Sequence, residues 1–234
     1  MDTGTTAFML CCIIGLTMMI PGLALFYGGM VSVKKSSTNM MMMTFGAVAI
    51  VGVLWILFGF SMTFGTSYGG FVGSLTEFAG MKNLLESQTT ISGLPVSLFA
   101  LFQALFAAIT VALVSGAAAD RMKFAAWMVF ATLWAVLCYF PPVAHWVFAF
   151  NGVVTPPDAV GGWIANNLKA IDFAGGTAVH INAGAAALAV AIVLGKGASW
   201  GKLRKPHNVP LTLLGAGLLW AGWYAFNGGS AYWP

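Results

Sequence analysis

Charged residues divide this 234-residue chain into six long uncharged stretches. The stretches lie between Asp2 and Lys34, Lys35 and Glu77, Glu86 and Asp120, Lys123 and Asp158, Asp172 and Lys196, and from Lys205 to the end. Each can hold the roughly 17–25 apolar residues of a helix that crosses a bilayer. Only 7% of the residues are charged, against about 25% in a typical soluble domain, so this pattern predicts a membrane protein.

We therefore expect an all-α membrane protein with about six transmembrane helices, in a single transmembrane domain over residues 1–234. The predicted helices are 7–29, 40–63, 95–118, 123–146, 171–194 and 209–230. A proline removes one hydrogen bond of a helix, so Ile20-Pro21-Gly22 should kink the first helix. Cys11, Cys12 and Cys138 lie in apolar runs without metal-ligand spacing, and we interpret them as small packing residues. No metal or cofactor is expected.

The basic residues predict the orientation of the chain in the membrane. Eight of the ten fall in the turns after helices one, three and five: Lys34, Lys35, Arg121, Lys123, Lys196, Lys202, Arg204 and Lys205. Lysine and arginine favour cytoplasmic loops, so we expect a multi-pass protein of the cell membrane with its N-terminus outside and these turns inside. Because the basic residues belong to these turns, the net charge of +4 does not indicate nucleic-acid binding.

One histidine is predicted to lie inside the hydrocarbon. His180 follows Asp172 by eight residues, or about 12 Å along a continuous helix. If Asp172 marks the membrane surface, His180 lies well within a hydrocarbon core about 30 Å thick. Ionisable groups at that depth are costly, and they commonly mark a transport path or a proton relay. We therefore interpret His180 as a candidate pore residue.

Aromatic side chains should gather above this histidine. The outer ends of helices three to six carry Phe102, Gln103 and Phe106, then His145, Trp146 and Phe148, then Asp172, and then Trp223, Phe226, Asn227 and Ser230. Phe102 and Phe106 share a helix face, as do Trp223, Phe226 and Ser230. The faces of aromatic rings attract cations. This cation–π interaction contributes about 2 kcal/mol or more once the site is desolvated. The pattern therefore favours a vestibule for a small cation.

Each of these residues also has a structural interpretation. Phe102 and Phe106 could be packing residues, and the tryptophans could form an interfacial belt. Asp172 could cap a helix N-terminus. His180 could be a core histidine that donates to a carbonyl, and His145 is interpreted as an interfacial residue at a helix end.

At these residues the chain resembles the Amt/Mep/Rh family of ammonium transporters. The resemblance rests on Leu25-Phe-Tyr-Gly-Gly29, Phe102-Gln-Ala-Leu-Phe-Ala-Ala-Ile-Thr110, Ala144-His-Trp-Val147, Asp172-Phe-Ala-Gly-Gly-Thr-Ala-Val-His-Ile-Asn182, Lys205-Pro-His-Asn208 and Gly222-Trp-Tyr-Ala-Phe-Asn-Gly-Gly-Ser230. It spans nearly the whole chain, and the spacing resembles Amt members more than Rh members.

The resemblance implies a role for each site residue. Phe106, Phe148 and Ser230 would bind ammonium at the outer surface, and Phe106 and Phe226 would form a stacked gate below. His180 would be the first of two pore histidines. The vestibule would be supported by Asp172, Phe102, Gln103 and Trp223. Many bacterial members have tryptophan where Phe148 stands, so recruitment here is expected to be weaker.

The resemblance also implies a larger architecture. Family members have eleven helices, built as an inverted pair of five-helix repeats plus one, and this chain corresponds to the first repeat plus the first helix of the second. Phe26-Tyr-Gly-Gly29 echoes Phe226-Asn-Gly-Gly229, and these two helices would run in opposite directions, as inverted repeats require. We expect a fragment or truncated product, one half of a split transporter, or a degenerate non-conducting subunit. Family members are homotrimers in membrane lipid, and many bind P-II-type regulators from the cytoplasm.

The expected function is ammonium transport, in which ammonium loses its proton and crosses mainly as NH3 past His180. The alternative is an ammonium sensor, or a non-conducting subunit that binds ammonium and signals to a cytoplasmic partner. An enzyme is not expected. The chain has no His-Glu-x-x-His motif, so a metal-dependent hydrolase is disfavoured.

Overall fold

The computed structural model describes residues 1–32, 34–84, 93–148, 162–197, 200–203 and 205–232, with the backbone alone at 34–35, 142–144 and 146–148. Within these residues, six helical segments are long and apolar enough to cross a bilayer. They are Thr3–Met30, Ser36–Phe64, Val96–Ala118, Phe124–Pro141, Gly176–Leu194 and Val209–Gly229. The prediction of a helical membrane protein with six spans is confirmed.

The spans are built from eight α-helices joined by tighter or wider turns. The helices are α1 Thr3–Thr17, α2 Met19–Met30, α3 Lys34–Leu54, α4 Phe60–Phe64, α5 Val96–Val114, α6 Phe124–Trp134, α7 Asn182–Leu194 and α8 Val209–Gly229. The 3-10 segments are Ala79–Met81 and Ser115–Ala118, and the π-helical segments are Trp55–Gly59, Ala135–Phe148, Trp163–Asn167 and Gly176–Ile181. A π-helix is rare and is frequently found at functional sites.

The first span is divided near its middle, as predicted from its proline. The α1 helix ends at Thr17, Met18 lies in a turn, and α2 begins at Met19. Pro21 has no N–H to donate to the carbonyl of Thr17, four residues earlier, so the hydrogen-bond ladder is interrupted there. The helix resumes with the bond from Gly22 N–H to the Met18 carbonyl at 3.0 Å.

Three predicted helix starts were wrong. The α1 helix begins at Thr3 instead of residue 7, because the Asp2 carboxylate accepts from the Thr5 N–H at 2.5 Å and caps the helix. The second span begins at α3 with Lys34 instead of residue 40. The fifth begins at Gly176 instead of residue 171.

A small β-hairpin lies outside the spans and was not predicted. Strand β1, Ser67–Tyr68, pairs antiparallel with β2, Val72–Gly73. Gly69 and Gly70 between them have positive φ angles of 63° and 82°, a conformation that glycine adopts without strain. The hairpin is folded against the end of the second span, because the Ser61 hydroxyl of that span donates to the Ser74 carbonyl just after β2.

The third span is at the centre of the packing. The buried share of its most apolar window is 67%, against 22% for the fifth span and 17% for the sixth. Its buried aromatic side chains, including Phe99, Phe102 and Phe106, contact one another or rings from other spans. The α5 helix is therefore the scaffold on which the outer rings are placed.

Glycines allow α2 and α8 to cross at backbone distance. An added Cβ at Gly22 or Gly222 would lie only 2.8–3.1 Å from backbone atoms of the facing helix. Gly22 contacts Gly215 and Leu219, and Gly222 contacts Gly15 and Met19. Each residue of the second set differs by 200 positions from its counterpart in the first, so the same contact occurs twice with the two spans exchanged. The first span, made of α1 and α2, therefore forms an antiparallel pair with α8 that has a local two-fold symmetry, which agrees with the echo noted in the sequence.

Candidate functional site

Two phenylalanine rings from different spans form a stacked pair. The centroids of Phe106 on α5 and Phe226 on α8 lie 4.0 Å apart, and their planes meet at 16°. Both side chains are 1% exposed. Phe102, one helical turn before Phe106, contacts it at 4.9 Å. The structure thus brings together three of the aromatic residues that the sequence assigned to the vestibule and gate.

The stacked pair is held in place by how α5 and α8 meet. Phe102 packs against Gly229, where an added Cβ would lie 2.7 Å from the phenyl ring, so only glycine leaves room for it. At the same end of α8, the Ser230 hydroxyl donates to the carbonyl of Phe226 at 2.8 Å. Ser230 is itself buried and lies one helical turn beyond Phe226.

His180 lies directly against the stacked pair. Its imidazole stacks on the Trp223 indole with centroids 5.3 Å apart and planes at 12°, and it contacts the Phe226 ring at 6.0 Å. The side chain is half-buried. It is carried by the π-helical turn Gly176–Ile181 that opens the fifth span. The histidine is therefore packed among the site aromatics of α8.

A small cavity lies next to His180. It has a volume of about 150 Å³, and Phe226 and Trp223 line it together with the histidine. The rest of its wall is apolar except for Tyr27, whose hydroxyl donates to the Leu113 carbonyl at 3.1 Å. No carboxylate is among the described residues that line it. The cavity therefore offers an imidazole and aromatic rings, but no counter-charge for a cation.

Asp172 organises the start of the histidine-bearing helix. Its buried carboxylate accepts from the Thr177 N–H at 2.9 Å, from the Ala178 N–H at 3.3 Å and from the Thr177 hydroxyl. Gly175 between them has a φ of 77°, in the left-handed region. Residues 172–175 are thus an irregular turn, so the assumption that Asp172 and His180 lie on one continuous helix was wrong. The carboxylate acts here as a cap for the N–H groups of the first turn.

Gln103 has a partner that the sequence gave no reason to expect. Its amide nitrogen donates to the Tyr232 hydroxyl at 2.6 Å. The Tyr232 ring contacts Phe99 at 5.4 Å and Phe102 at 6.0 Å. Tyr232 therefore ties the residues after α8 to the aromatic face of α5. Its sequence signal was weak, because a tyrosine beyond the last span also fits an interfacial belt.

His145 lies beyond the end of the fourth span and is buried within the protein. The side chain is 1% exposed; Nδ1 lies 2.7 Å from the Thr63 carbonyl and Nε2 lies 2.9 Å from the Ser67 hydroxyl. It joins the π-helical segment Ala135–Phe148 to the end of the second span. Burial lowers the pKa of His145 below its ordinary value of 6.5, so the neutral ring is favoured.

Phe148 is described by its backbone alone. Phe148 ends the π-helical segment that begins at Ala135, but its side chain is outside the described residues, as is that of Trp146. In the part of the chain that is described, no group of three or more His, Cys, Asp or Glu side chains could hold a metal ion. The chemistry visible at the site is that of stacked rings, one imidazole and a buried hydroxyl.

Sequence comparison identifies close relatives. The model of a family described as the Ammonium Transporter Family matches residues 7–233. An ammonium transporter of Mycobacterium tuberculosis is 53% identical over 98% of this chain and 50% of its own length. One from Aquifex aeolicus is 46% identical over 99% of this chain and 51% of its own length. The chain thus spans about half the length of the curated relatives it matches.

Solved structures of the same kind share the fold. The crystal structure of Saccharomyces cerevisiae Mep2 matches all of this chain and 51% of its own with a TM-score of 0.83 at 34% identity. A structure described as a sensor Amt protein matches 99% of this chain and 55% of its own with a TM-score of 0.84 at 28% identity.

Proposed function

This chain belongs to the Ammonium Transporter Family, and we propose that it supplies the outer recruitment site, the aromatic gate and the first pore histidine of an ammonium transporter. The observation that carries the proposal is the stack of Phe106 on Phe226, with His180 and an apolar cavity against the same ring. In this proposal the chain acts as half of a complete pore, because its relatives are about twice as long.

Recruitment uses ring faces and one hydroxyl. Phe106, Phe148 and Ser230 bind the cation, since aromatic rings attract ammonium and the Ser230 hydroxyl retains acceptor capacity while it donates to Phe226. A desolvated cation–π contact contributes about 2 kcal/mol or more. Asp172, Gln103, Phe102 and Trp223 keep the surrounding segments in position. The vestibule thereby selects a small cation before the gate.

The cavity beside His180 favours the passage of NH3 over that of ammonium. Transfer of an ion from water into an apolar cavity without a paired charge has a large free-energy cost. Transfer of NH3 costs much less, because only its hydrogen bonds to water are lost. The cavity beside His180 has apolar walls and no described carboxylate. Ammonium therefore gives up its proton near the gate and continues mainly as NH3.

His180 receives the neutral molecule and takes part in the proton's route. A neutral imidazole has one donor and one acceptor nitrogen, so it can accept a hydrogen bond from NH3 or pass a proton along a chain of groups. Stacking on Trp223 fixes the plane of the ring and limits its rotation. The proton is relayed along the pore or returned to the vestibule.

The orientation and assembly of the complete transporter are expected to be those of its family. We place the chain in the cell membrane with its N-terminus outside and its basic turns in the cytoplasm, as the distribution of lysine and arginine favours. The complete transporter is a homotrimer with one pore per subunit, and a P-II-type regulator is its cytoplasmic partner.

Reconstitution tests the transport proposal. The chain is placed in proteoliposomes alone, and together with the separately expressed remaining half of a full-length relative, and methylammonium uptake and ammonium-induced current are measured. We expect flux only when both halves are present. His180→Leu in the two-part protein should change the proton-linked current, and unchanged current and uptake would refute the relay. A full-size pore formed by the chain alone would overturn the half-pore proposal.

A sensor is the second candidate function. The protein described as a sensor Amt protein shares this fold as closely as Mep2 does, so the fold is compatible with either role. Ammonium binding stabilises a folded protein whether or not it conducts. A melting temperature that rises in ammonium chloride relative to sodium chloride, with no flux from the two-part protein, would favour the sensor.

A further inference from the structure

Two prolines interrupt the hydrogen bonding at the end of the fourth span. Pro141 and Pro142 lie within the π-helical segment Ala135–Phe148, and neither has a backbone N–H to donate. The residues that follow them, of which Phe148 is the last in the segment, are therefore held less firmly by bonds within their own helix. Contacts with other segments must fix where this end of the span lies.

His145 makes such contacts with three other segments. Its Nδ1 lies 2.7 Å from the carbonyl of Thr63 on α4, and its Nε2 lies 2.9 Å from the hydroxyl of Ser67 on β1. Its own carbonyl accepts from the Gly162 N–H at 3.1 Å. The side chain is 1% exposed, so water does not compete for the ring nitrogens. His145 therefore attaches the end of the fourth span to its surroundings.

The direction of each hydrogen bond in this network follows from its partners. A carbonyl only accepts, so Nδ1 carries the proton and donates to Thr63. Because burial lowers the pKa of His145, the ring is neutral and Nε2 accepts from the Ser67 hydroxyl. The Gly70 N–H donates in turn to the Ser67 oxygen at 3.2 Å. The β-hairpin thus presents its hydroxyl to the histidine in one orientation.

The partners of His145 belong to a well-bonded support. Ser61, on the same helix as Thr63, accepts from the Phe78 N–H at 3.0 Å and donates to the Ser74 carbonyl. These bonds hold the hairpin and the residues after it against the second span. The histidine therefore connects a weakly held helix end to a firmly held one.

We propose that the hydrogen bond between His145 and Ser67 positions the end of the fourth span, and with it Phe148, at the site where ammonium is recruited. This inference rests on the proposed function, in which Phe148 is one of the residues that bind the cation. His145 is a positioning residue, because it acts through Phe148, three residues further along the chain. The stacked pair and the pore histidine belong to other spans, so loss of the bond weakens recruitment and leaves the later passage unchanged.

Methylammonium uptake by the two-part protein in proteoliposomes tests the link to recruitment. We expect Ser67→Ala to raise the KM at least about fivefold at an unchanged maximal rate, because a hydrogen bond to a buried ring is lost. Ser67→Thr keeps the hydroxyl and should retain the KM of the unmodified protein. His145→Asn can still donate to Thr63 but has no atom at the place of Nε2. It should raise the KM as Ser67→Ala does, and the double variant should raise it no further.

A hydroxyl elsewhere on the same span provides the control. Thr132 on α6 donates to the Met128 carbonyl at 2.8 Å, within its own helix. Thr132→Ala removes this bond and should leave the KM unchanged. Melting temperatures of all variants measure any general loss of stability separately.

Spin-label distances test the positioning role in the chain alone. In a variant with the native cysteines replaced by alanine, labels at Phe148→Cys and Leu101→Cys should give one narrow distance distribution, since Leu101 is on α5 and 48% exposed. Ser67→Ala should broaden the distribution, whereas Ser67→Thr and Thr132→Ala should not.

Three results would overturn the proposal. Label distances unchanged by Ser67→Ala would show that the bond does not position Phe148. Broadened distances with an unchanged KM would remove the link to recruitment. Equal changes in Ser67→Ala and Thr132→Ala would assign the effect to stability alone. Absence of uptake from the unmodified two-part protein would contradict the proposed function instead, and the label distances would still decide the positioning role.

Discussion

At the scale of single residues, the site depends on which rings touch. Helical spacing predicted that Phe102 and Phe106 share a face, and the shared outer ends of the spans predicted that Phe226 lies near them. Spacing could not predict that Phe106 and Phe226 would stack at 4.0 Å, because that distance is set by how closely α8 approaches α5. It also missed the burial of His145, whose two ring nitrogens are satisfied by groups some 80 residues away in sequence.

The stacked pair of Phe106 and Phe226 should give a measurable coupling energy. Phe106→Leu and Phe226→Leu, made singly and together, are expected to show a coupling of about 0.5–1.5 kcal/mol in the free energy of unfolding in detergent, because an aromatic pair contributes this beyond its buried area. A cycle of Phe130→Leu with Phe226→Leu is the control, since Phe130 contacts Trp127 instead. Equal coupling in both cycles would contradict an energetic role for the stack.

His145 should make the fold less stable in acid. Burial lowers its pKa below 6.5, so below that pH the unfolded chain binds more protons than the folded one. The stability contributed by the neutral ring is complete above pH 6.5 and declines as the pH falls toward the lowered pKa. His145→Gln should reduce the drop in melting temperature between pH 7.5 and pH 5.5. The exposed His207 provides the control, and a drop that changes only in His207→Gln would refute this assignment.

At the scale of elements, charge spacing predicted all six spans but not how they begin. Uncharged length is enough to locate a span, because the hydrocarbon excludes charges. Starts and turns depend on local hydrogen bonds instead. The Asp2 cap lengthens α1, and the Asp172 carboxylate together with Gly175 delays the fifth span to Gly176. The π-helical segments were also missed, since hydrophobicity does not distinguish them from α-helix.

The crossing of α2 and α8 should tolerate no added methyl group. A Cβ at Gly215 would overlap the backbone nitrogen of Phe26, and a backbone atom cannot rotate away. Gly215→Ala is expected to lower the free energy of unfolding by about 1–3 kcal/mol. Gly217→Ala, two residues along the same helix, meets open space and should be neutral or slightly stabilising. Equal losses in the two variants, measured by unfolding in detergent, would argue against close backbone packing.

At the scale of the whole molecule, burial is uneven. The third span is largely enclosed, whereas the fifth and sixth expose most of their length. The exposed apolar side chains of these two spans include Leu188, Trp220 and Tyr224. Relatives of about twice this length have further chain with which to cover such a surface, and the proposed half-pore follows from that match.

Labelling should show which surface is covered. In a variant with the native cysteines replaced by alanine, Leu188→Cys should react with a lipid-soluble maleimide when the chain is alone, because Leu188 is 63% exposed. Co-expression of the remaining half of a full-length relative should protect it. Val129→Cys on α6, at a residue that is 61% exposed, should react in both cases. Reaction of Leu188→Cys that is unaffected by the second half would contradict the covered surface.

The contacts between the first span and α8 occur twice with the partners exchanged. This repetition restricts which amino-acid substitutions the two helices can accept. Gly22 and Gly222 occupy equivalent places in one joint, so a bulkier residue is excluded at both for the same reason. The joint resembles a two-fold symmetric contact between two identical subunits, in which the same surface patch faces itself. Tolerated residues at positions 15–29 should therefore match those at 215–229 wherever the two helices touch, and should diverge only where one of them lines the cavity.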